Sequence, residues 1–311
     1  MKEFLILGVV SFFALVTYYL VEPYAHHEMH PHVESKHFAY ADLPAIAKVG
    51  NAEDGANTFM AGGCIGCHNV ESIGMMTGMD ALASAQAFGG VNPPDLSNAG
   101  SIYDEKFLAA LIRNPAHATS VEHKFSDTKP HPMPQFYGAG GDMDQEVADI
   151  VAYLKSIAKP AEEITPAEAY NNACGRCHAL KYEGWTQLGE KPTFKYKKDE
   201  YRYDANVLEY QEGVTKYLGK LPPDLSMYYM SRGAHFLETL IEDPQSQLAG
   251  TAMPRVGVTA EAAEKIVEHL TNSADTKRFE RESIAKNVML YMLIFTIFAY
   301  LWKRQVWAKL H

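Results

Sequence analysis

All four cysteines of this 311-residue chain fall in two copies of one short motif. The copies are Cys-Ile-Gly-Cys-His at residues 64–68 and Cys-Gly-Arg-Cys-His at residues 174–178. Cys-x-x-Cys-His is the attachment motif of c-type haem, in which two thiols bond to the porphyrin and the histidine binds the iron. The sequence therefore predicts two covalently bound c-type haems. The predicted attachment and ligand residues are Cys64, Cys67, His68, Cys174, Cys177 and His178.

Two other kinds of chemistry use paired cysteines. A structural zinc site requires four ligands. A redox dithiol requires the two thiols but not the histidine. Neither alternative explains why the histidine recurs and why no cysteine is left over.

The chain repeats itself after each motif. Four features recur in the same order: the string Pro-Pro-Asp-Leu-Ser, a Phe-Leu segment ending in proline, a Met-Pro pair, and an amphipathic helix. They fall at residues 93–97, 107–115, 133–134 and 144–157, and again at residues 222–226, 236–244, 253–254 and 259–271. This order indicates one haem-binding unit used twice.

A methionine beside proline follows each motif. Met133 lies between two prolines and Met253 precedes one. A thioether ligand raises the reduction potential of haem, and an iron with six ligands has no vacancy for oxygen or peroxide. We therefore expect Met133 and Met253 to be the distal ligands of electron-transfer haems, with ordinary core methionines as the alternative. No substrate site is evident. The competing ligands are Met75, Met76, Met79, His117, His123, His131, Met227, Met230 and His235.

Prolines and arginines near these ligands suggest supporting roles. Pro94 and Pro223 are expected to wall the proximal side of each haem, where a backbone carbonyl would orient the imidazole. A plain capped turn is the alternative interpretation of both strings. Arg113 and Arg255 are candidates for offsetting the charge of haem propionates, and a solvated arginine is the alternative for each.

Apolar runs at residues 4–21 and 288–302 predict membrane anchors. The alternatives are a cleaved signal peptide for the first run and a buried helical hairpin for the pair. The basic residues that flank the runs place both termini in the cytoplasm by the positive-inside rule, with everything between them outside. These residues are Lys2, Lys303, Arg304 and Lys309.

We expect an all-α protein with two tandem class I cytochrome c domains between two transmembrane helices. The predicted order is an N-terminal anchor (1–22), a His-rich linker (23–45), the first cytochrome c domain (46–160), the second (161–285), and a C-terminal anchor with a basic tail (286–311). The five histidines at residues 26–37 would bind a metal or belong to a flexible linker.

The charge of the chain bears on its partners. A net charge of -10 without long basic clusters argues against nucleic-acid binding and predicts partners with basic patches. A tyrosine-rich insertion at residues 181–221 would either contact another protein or pack on its own domain.

Several of these strings together resemble cytochrome c1 of the cytochrome bc complex, in a dihaem form. They are the paired Pro-Pro-Asp-Leu-Ser strings, Met253-Pro254-Arg255, and the basic and aromatic tail after the last span. The resemblance covers residues 50–311 and implies the haem attachment residues and ligands named above. It implies a subunit that accepts electrons from a Rieske iron-sulfur protein, next to cytochrome b. The subunit would pass them to a cytochrome c or a terminal oxidase, within a dimeric complex of the bacterial inner membrane whose haem domains are periplasmic.

Two departures from this family's pattern stand out. Cytochrome c1 usually has one haem and a cleaved signal, whereas this chain has two motifs and an N-terminal span that looks retained. Two other functions stay open at this point. One is a dihaem electron-transfer subunit of a haem-copper oxidase or an alcohol dehydrogenase, and the other is a dihaem peroxidase with an open iron.

Overall fold

The computed structural model of the chain describes residues 2–29, 40–126 and 128–308. These residues are largely helical, as predicted, and two short strands, β1 (Trp185–Thr186) and β2 (Gly189–Glu190), pair in an antiparallel hairpin. The helices in chain order are α1 (Lys2–Val16), α2 (Glu22–Met29), α3 (Ala52–Ala61), α4 (Ala81–Ala87), α5 (Ala99–Ile102), α6 (Glu105–Arg113), α7 (Pro115–Ala118), α8 (Met143–Ile157), α9 (Pro166–Ala173), α10 (Lys197–Leu218), α11 (Tyr228–Arg232), α12 (Ala234–Glu242), α13 (Pro244–Gln247), α14 (Ala260–Ala274) and α15 (Arg278–Trp307).

In the first half of the chain, α3 packs across α8. The Asn51 side chain caps the start of α3 by accepting hydrogen bonds from the next backbone amides. The two helices approach so closely at Gly55 that a Cβ there would overlap the Asp149 carbonyl oxygen. The rings of Phe59 and Tyr153 pack beside this crossing with centroids 5.4 Å apart. Glycine at residue 55 therefore sets the distance between the two helices.

The second half repeats this arrangement with α9 and α14. Thr165 and Glu168 form a capping box at the start of α9, and Pro166 occupies its first turn. Tyr170 on α9 and Ile266 on α14 are fully buried in the same core. The helix that the sequence predicts at residues 259–271 is present as α14 and continues to Ala274.

The elements between these helix pairs also follow one order in both halves. The short helices α5, α6 and α7 of the first half correspond to α11, α12 and α13 of the second. Asn114 and Asp243 cap α7 and α13 in the same way, each followed by a proline. The repeat that the strings indicate is therefore also a repeat of helices, whereas the domain limits given above stay a prediction.

One hydrophobic core runs through both halves. Tyr103 and Phe107 of the first half share a buried cluster with Val258 and Ile266 of the second. Gly257 has a φ of 81°, and its Cα faces the Phe107 ring so closely that a Cβ would overlap it. The halves are thus packed into each other rather than joined only by a linker.

Helix α10 fills most of the tyrosine-rich insertion and packs on the first half. Tyr210, Val214 and Leu218 on one face of α10 form a buried cluster with Ala85 of α4. The insertion therefore packs within the chain, but against α4 of the first half and not only on its own half as the sequence analysis expected. Three exposed tyrosines of the insertion lie outside this cluster, namely Tyr182, Tyr196 and Tyr201.

Both ends of the described chain are apolar helices. The first extends from α1 into α2 (Lys2–Ala25), and the second is α15 (Arg278–Trp307). Their most apolar windows have mean hydropathies of 2.3 and 1.7, and both helices are long enough to cross a membrane. They contact each other through an ion pair between Lys303 Nζ and Glu3 Oε1 at 2.6 Å and through the rings of Phe4 and Tyr300. The predicted apolar anchors are therefore helices whose outer ends meet. The histidine side chains of the predicted linker lie outside the described residues.

Candidate functional site

A cavity of about 430 Å³ lies in the first half. The first motif lines one side with Cys64, Cys67 and His68, and Met133 lines the cavity as well. Pro93 and Phe136 add apolar wall. We call this the first cavity. The structure thus brings the predicted cysteines, histidine and methionine of the first half to one place.

A second cavity of about 750 Å³ lies in the second half. Its lining contains Cys174, Cys177, His178 and Met253, together with Pro223. The sizes of both cavities lie in the range of about 300–1,000 Å³ that is typical of cofactor sites. Each cavity offers two thiols, one imidazole and one thioether in an apolar setting. This donor set fits a c-type haem.

The two histidines are held in the same way. The Nδ1 atom of His68 lies 2.9 Å from the Pro94 carbonyl oxygen, and that of His178 lies 2.8 Å from the Pro223 carbonyl oxygen. A carbonyl oxygen only accepts hydrogen bonds, so Nδ1 of each ring carries the proton. Nε2 is then left with its lone pair for a metal. The carbonyls of the predicted prolines have the orienting geometry that the sequence suggested.

The Pro-Pro-Asp-Leu-Ser strings are fixed by their aspartates. Asp95 accepts hydrogen bonds from the backbone amides of Glu71 and Ser97. Asp224 accepts the equivalent bonds from Lys181 and Ser226. Each string is therefore both a capped turn and the support of the carbonyl that orients the imidazole.

Burial sets the protonation of the candidate ligands. It lowers the pKa of His68 and of His178, and for His68 the nearby Arg176 charge acts in the same direction. The imidazoles are therefore neutral and able to bind iron. Burial also raises the pKa of the Cys174 thiol to about 12 and raises those of the other motif cysteines. Reactive dithiols require lowered thiol pKa values, so the structure disfavours the redox-dithiol alternative.

The zinc alternative also lacks its ligands. Among the residues that the structure describes, no group of three or more His, Cys, Asp and Glu side chains is arranged to hold a metal ion. The zinc alternative therefore has no support in the described part of the chain.

The competing ligands lie elsewhere. Of the described methionines and histidines, Met133 and His68 line the first cavity and Met253 and His178 line the second. The sulfur-bearing side chains of Met76, Met227 and Met230 are exposed at the surface. His131 lies beside Met133 and accepts a hydrogen bond from its backbone amide at 3.1 Å. It is absent from the cavity lining, so its contact supports the methionine loop.

The two predicted arginines have partners outside the cavities. Arg113 pairs with Asp144 of α8. Arg255 is only 1% exposed, and its Nη1 donates to both carboxylate oxygens of Asp42 at 2.7 and 2.9 Å. The Nε of Arg255 donates to the Ala118 carbonyl oxygen. Neither arginine lines a cavity.

Three cations for which the sequence predicted no role do line the cavities, and one of them is Lys220 at the second cavity. Arg176 belongs to the second motif but lines the first cavity, and Lys124 belongs to the first half but lines the second. Lys124 Nζ donates to the carbonyl oxygens of Leu218 and Ala252 at 2.9 and 3.0 Å. The only sequence signal for Arg176 is its position between the motif cysteines, and Lys124 has none.

Comparison with known proteins agrees with the first site. Residues 52–158 match the family model for cytochrome c, so this part of the chain is similar to electron-transfer domains that carry a covalently bound c-type haem. No curated protein matches the chain. A solved structure titled "Hyperthermophilic respiratory Complex III" is similar over 47% of this chain and 75% of that chain, with 22% sequence identity and a TM-score of 0.38.

Proposed function

We propose that the chain binds a c-type haem in each cavity and works as a membrane-anchored dihaem electron-transfer subunit. The observation that carries the proposal is the second cavity. It repeats the thiols, the imidazole and the thioether of the first cavity, and His178 Nδ1 contacts the Pro223 carbonyl oxygen as His68 Nδ1 contacts that of Pro94. A site built twice from the same parts would hold the same cofactor twice.

The residues of the chain favour electron transfer over catalysis. Bound haem supplies a one-electron carrier. The carbonyls of Pro94 and Pro223 keep the imidazoles oriented, and Met133 and Met253 supply the remaining ligand in each cavity. With both ligands supplied by side chains, no position is left for oxygen or peroxide, which counts against the peroxidase alternative.

We further propose that the chain is the cytochrome c1-type subunit of a quinol:cytochrome c oxidoreductase. It would accept electrons from a Rieske iron-sulfur protein next to cytochrome b, and would pass them to a cytochrome c or a terminal oxidase. The resemblance of the Pro-Pro-Asp-Leu-Ser strings, the Met253-Pro254-Arg255 string and the basic tail supports this placement. The net charge of -10 suits a basic electron acceptor.

The proposed topology places both termini in the cytoplasm and the haem sites in the periplasm of a bacterial inner membrane. The contact of Glu3 with Lys303 supports it, since this ion pair holds the outer ends of the two apolar helices together. Two antiparallel spans would place those ends on one side of the bilayer.

Haem content and ligation test the first part of the proposal. A pyridine haemochrome spectrum is expected to give two c-type haems per chain. Carbon monoxide is expected to leave the spectrum of the reduced protein unchanged, because both irons have two side-chain ligands. One haem per chain would contradict the second site, and a clear carbon monoxide complex would favour an open iron.

Purification in mild detergent tests the second part. We expect a tagged chain to bring down a Rieske protein and a cytochrome b in fixed proportion. Recovery of a copper-containing oxidase or a quinoprotein dehydrogenase instead would move the same dihaem subunit to another complex. A chain lacking residues 278–308 is a useful control, because loss of a membrane helix should reduce recovery of the membrane partners.

A further inference from the structure

Arg176 connects the two candidate sites. It lies between Cys174 and Cys177, which line the second cavity, but its own side chain lines the first. At the matching position of the first motif the residue is Gly66, where a Cβ would meet nothing within 4 Å. The repeat is therefore broken at this position, and the residue that breaks it reaches into the other half.

The surroundings of Arg176 fix its side chain at the first cavity. Its Nη1 donates to the Asn92 carbonyl oxygen at 3.0 Å, and Asn92 itself lines that cavity. The Tyr210 hydroxyl donates to the Arg176 carbonyl oxygen at 3.0 Å and accepts from the Asn92 amide at 3.0 Å. Helix α10 thereby ties the second motif to the loop that precedes the prolines of the first site.

Arg176 also has an unused donor. Its Nε is buried and has no hydrogen-bond partner among the described residues. A buried guanidinium without full pairing costs free energy, so such a group usually faces an acceptor or an anion. A haem carries two carboxylates as well as a ring whose charge changes on reduction.

We propose that Arg176 belongs functionally to the first haem site, although it is part of the attachment motif of the second. It sets the reduction potential of the first haem by charge. This inference rests on the proposed function, since it requires a haem in each cavity.

The physical basis is electrostatic. A fixed positive charge at the cavity wall favours the reduced haem, which carries one positive charge less than the oxidised haem. The interaction is strong because the charge lies in an apolar setting with little water to screen it. Removing the charge should therefore lower the potential of the first haem more than that of the second, although the second is the one bonded to the neighbouring cysteines.

Redox titration of the full chain with two haems tests this assignment. Arg176→Met is expected to change the reduction equilibrium of one haem about tenfold, which is about 59 mV for a one-electron couple. Arg176→Gln, which retains an N–H donor without the charge, should shift the same haem in the same direction. Arg176→Lys should shift it less than either. Arg202→Met, which removes an exposed arginine of α10, is the matched control and should change neither haem.

Ligand variants identify which haem has moved. Met133→His marks the first haem by lowering its potential, and Met253→His marks the second in the same way. In the Met133→His background, Arg176→Met should shift the redox transition whose potential Met133→His has lowered. In the Met253→His background, it should shift the other transition. Both transitions would belong to the first haem.

A shift of the second haem that equals or exceeds that of the first, no shift, or an equal shift with Arg176→Lys and Arg176→Met would overturn the inference. Haem content is measured on every variant. Two haems per chain with the wrong shift contradict only the role of Arg176, whereas a single haem in the unaltered chain contradicts the proposed function.

Discussion

At the scale of single residues, the candidate sites divide their work between side chains and backbone. The proline carbonyls fix the His68 and His178 rings through Nδ1, and this backbone contact does not depend on a neighbouring side chain. The thioethers of Met133 and Met253 are the variable part of each donor set. The potential of each haem should therefore respond most strongly to its methionine.

The first prediction concerns Met253. Met253→His should lower the potential of one haem, because an imidazole stabilises ferric iron more than a thioether does. Redox titration of the full chain measures this. Met230→His is the control, since Met230 is exposed on α11 and outside the second cavity. An unchanged titration for Met253→His would show that Met253 is not a ligand.

That the candidate ligands line the two cavities was predictable from sequence, because the haem attachment motif is local. Five consecutive residues specify the thiols and the imidazole, and the neighbouring prolines mark the methionine. Arg255 shows the limit of this reasoning. Its place after Met253-Pro254 suggested a propionate partner, whereas the structure pairs it with Asp42. Contacts between distant parts of the chain, such as that of Arg176 with Asn92, follow no local period and could not be predicted.

At the scale of elements, the crossing of α3 and α8 depends on one glycine. Gly55→Ala should lower the free energy of unfolding by about 3 kcal/mol, because the new methyl group would overlap the Asp149 carbonyl oxygen and backbone cannot move aside as a side chain can. Thermal or denaturant unfolding measures the change. Gly66→Ala is the matched control, since its methyl group would enter open space. Equal stability of both variants would contradict the close crossing.

Lys124 of the first half donates hydrogen bonds to two backbone carbonyls of the second half. Its Nζ joins the C-terminal carbonyl of α10 to the Ala252 carbonyl, one residue before Met253. Lys124→Met should cost about 1–3 kcal/mol through the two carbonyls left without their donor. It should also weaken ligation by Met253, which the methionine-to-iron absorption band of the oxidised protein reports.

The control for this prediction is Lys129→Met, which removes an exposed lysine of the same loop region. It should leave both the stability and the absorption band unchanged. If Lys124→Met lowers stability but keeps the band intact, Lys124 supports the fold without positioning the methionine.

At the scale of the whole molecule, Arg255 joins three separate parts of the chain. Its guanidinium pairs with Asp42 before the first half, its Nε donates to the Ala118 carbonyl, and its own backbone amide donates to the Thr119 carbonyl. The Tyr40 hydroxyl bonds the Val258 carbonyl at 2.6 Å beside it. Together with the shared core, this junction means that neither half has a complete interior without the other.

Two consequences of this junction can be measured. The haem signals of both halves should disappear in one cooperative unfolding transition, because the halves share their core. Arg255→Met should lower the free energy of unfolding by about 3–5 kcal/mol, since it removes the two charge-assisted hydrogen bonds that the partly buried Asp42 carboxylate accepts from Arg255 Nη1. Adding Asp42→Asn to Arg255→Met should recover part of that loss, so the coupling in a double-mutant cycle is favourable for the native pair. Two separate unfolding transitions in the unaltered chain would show instead that the halves are independent domains. Strictly additive effects of the two substitutions would show that the Arg255–Asp42 pair contributes nothing to holding the halves together.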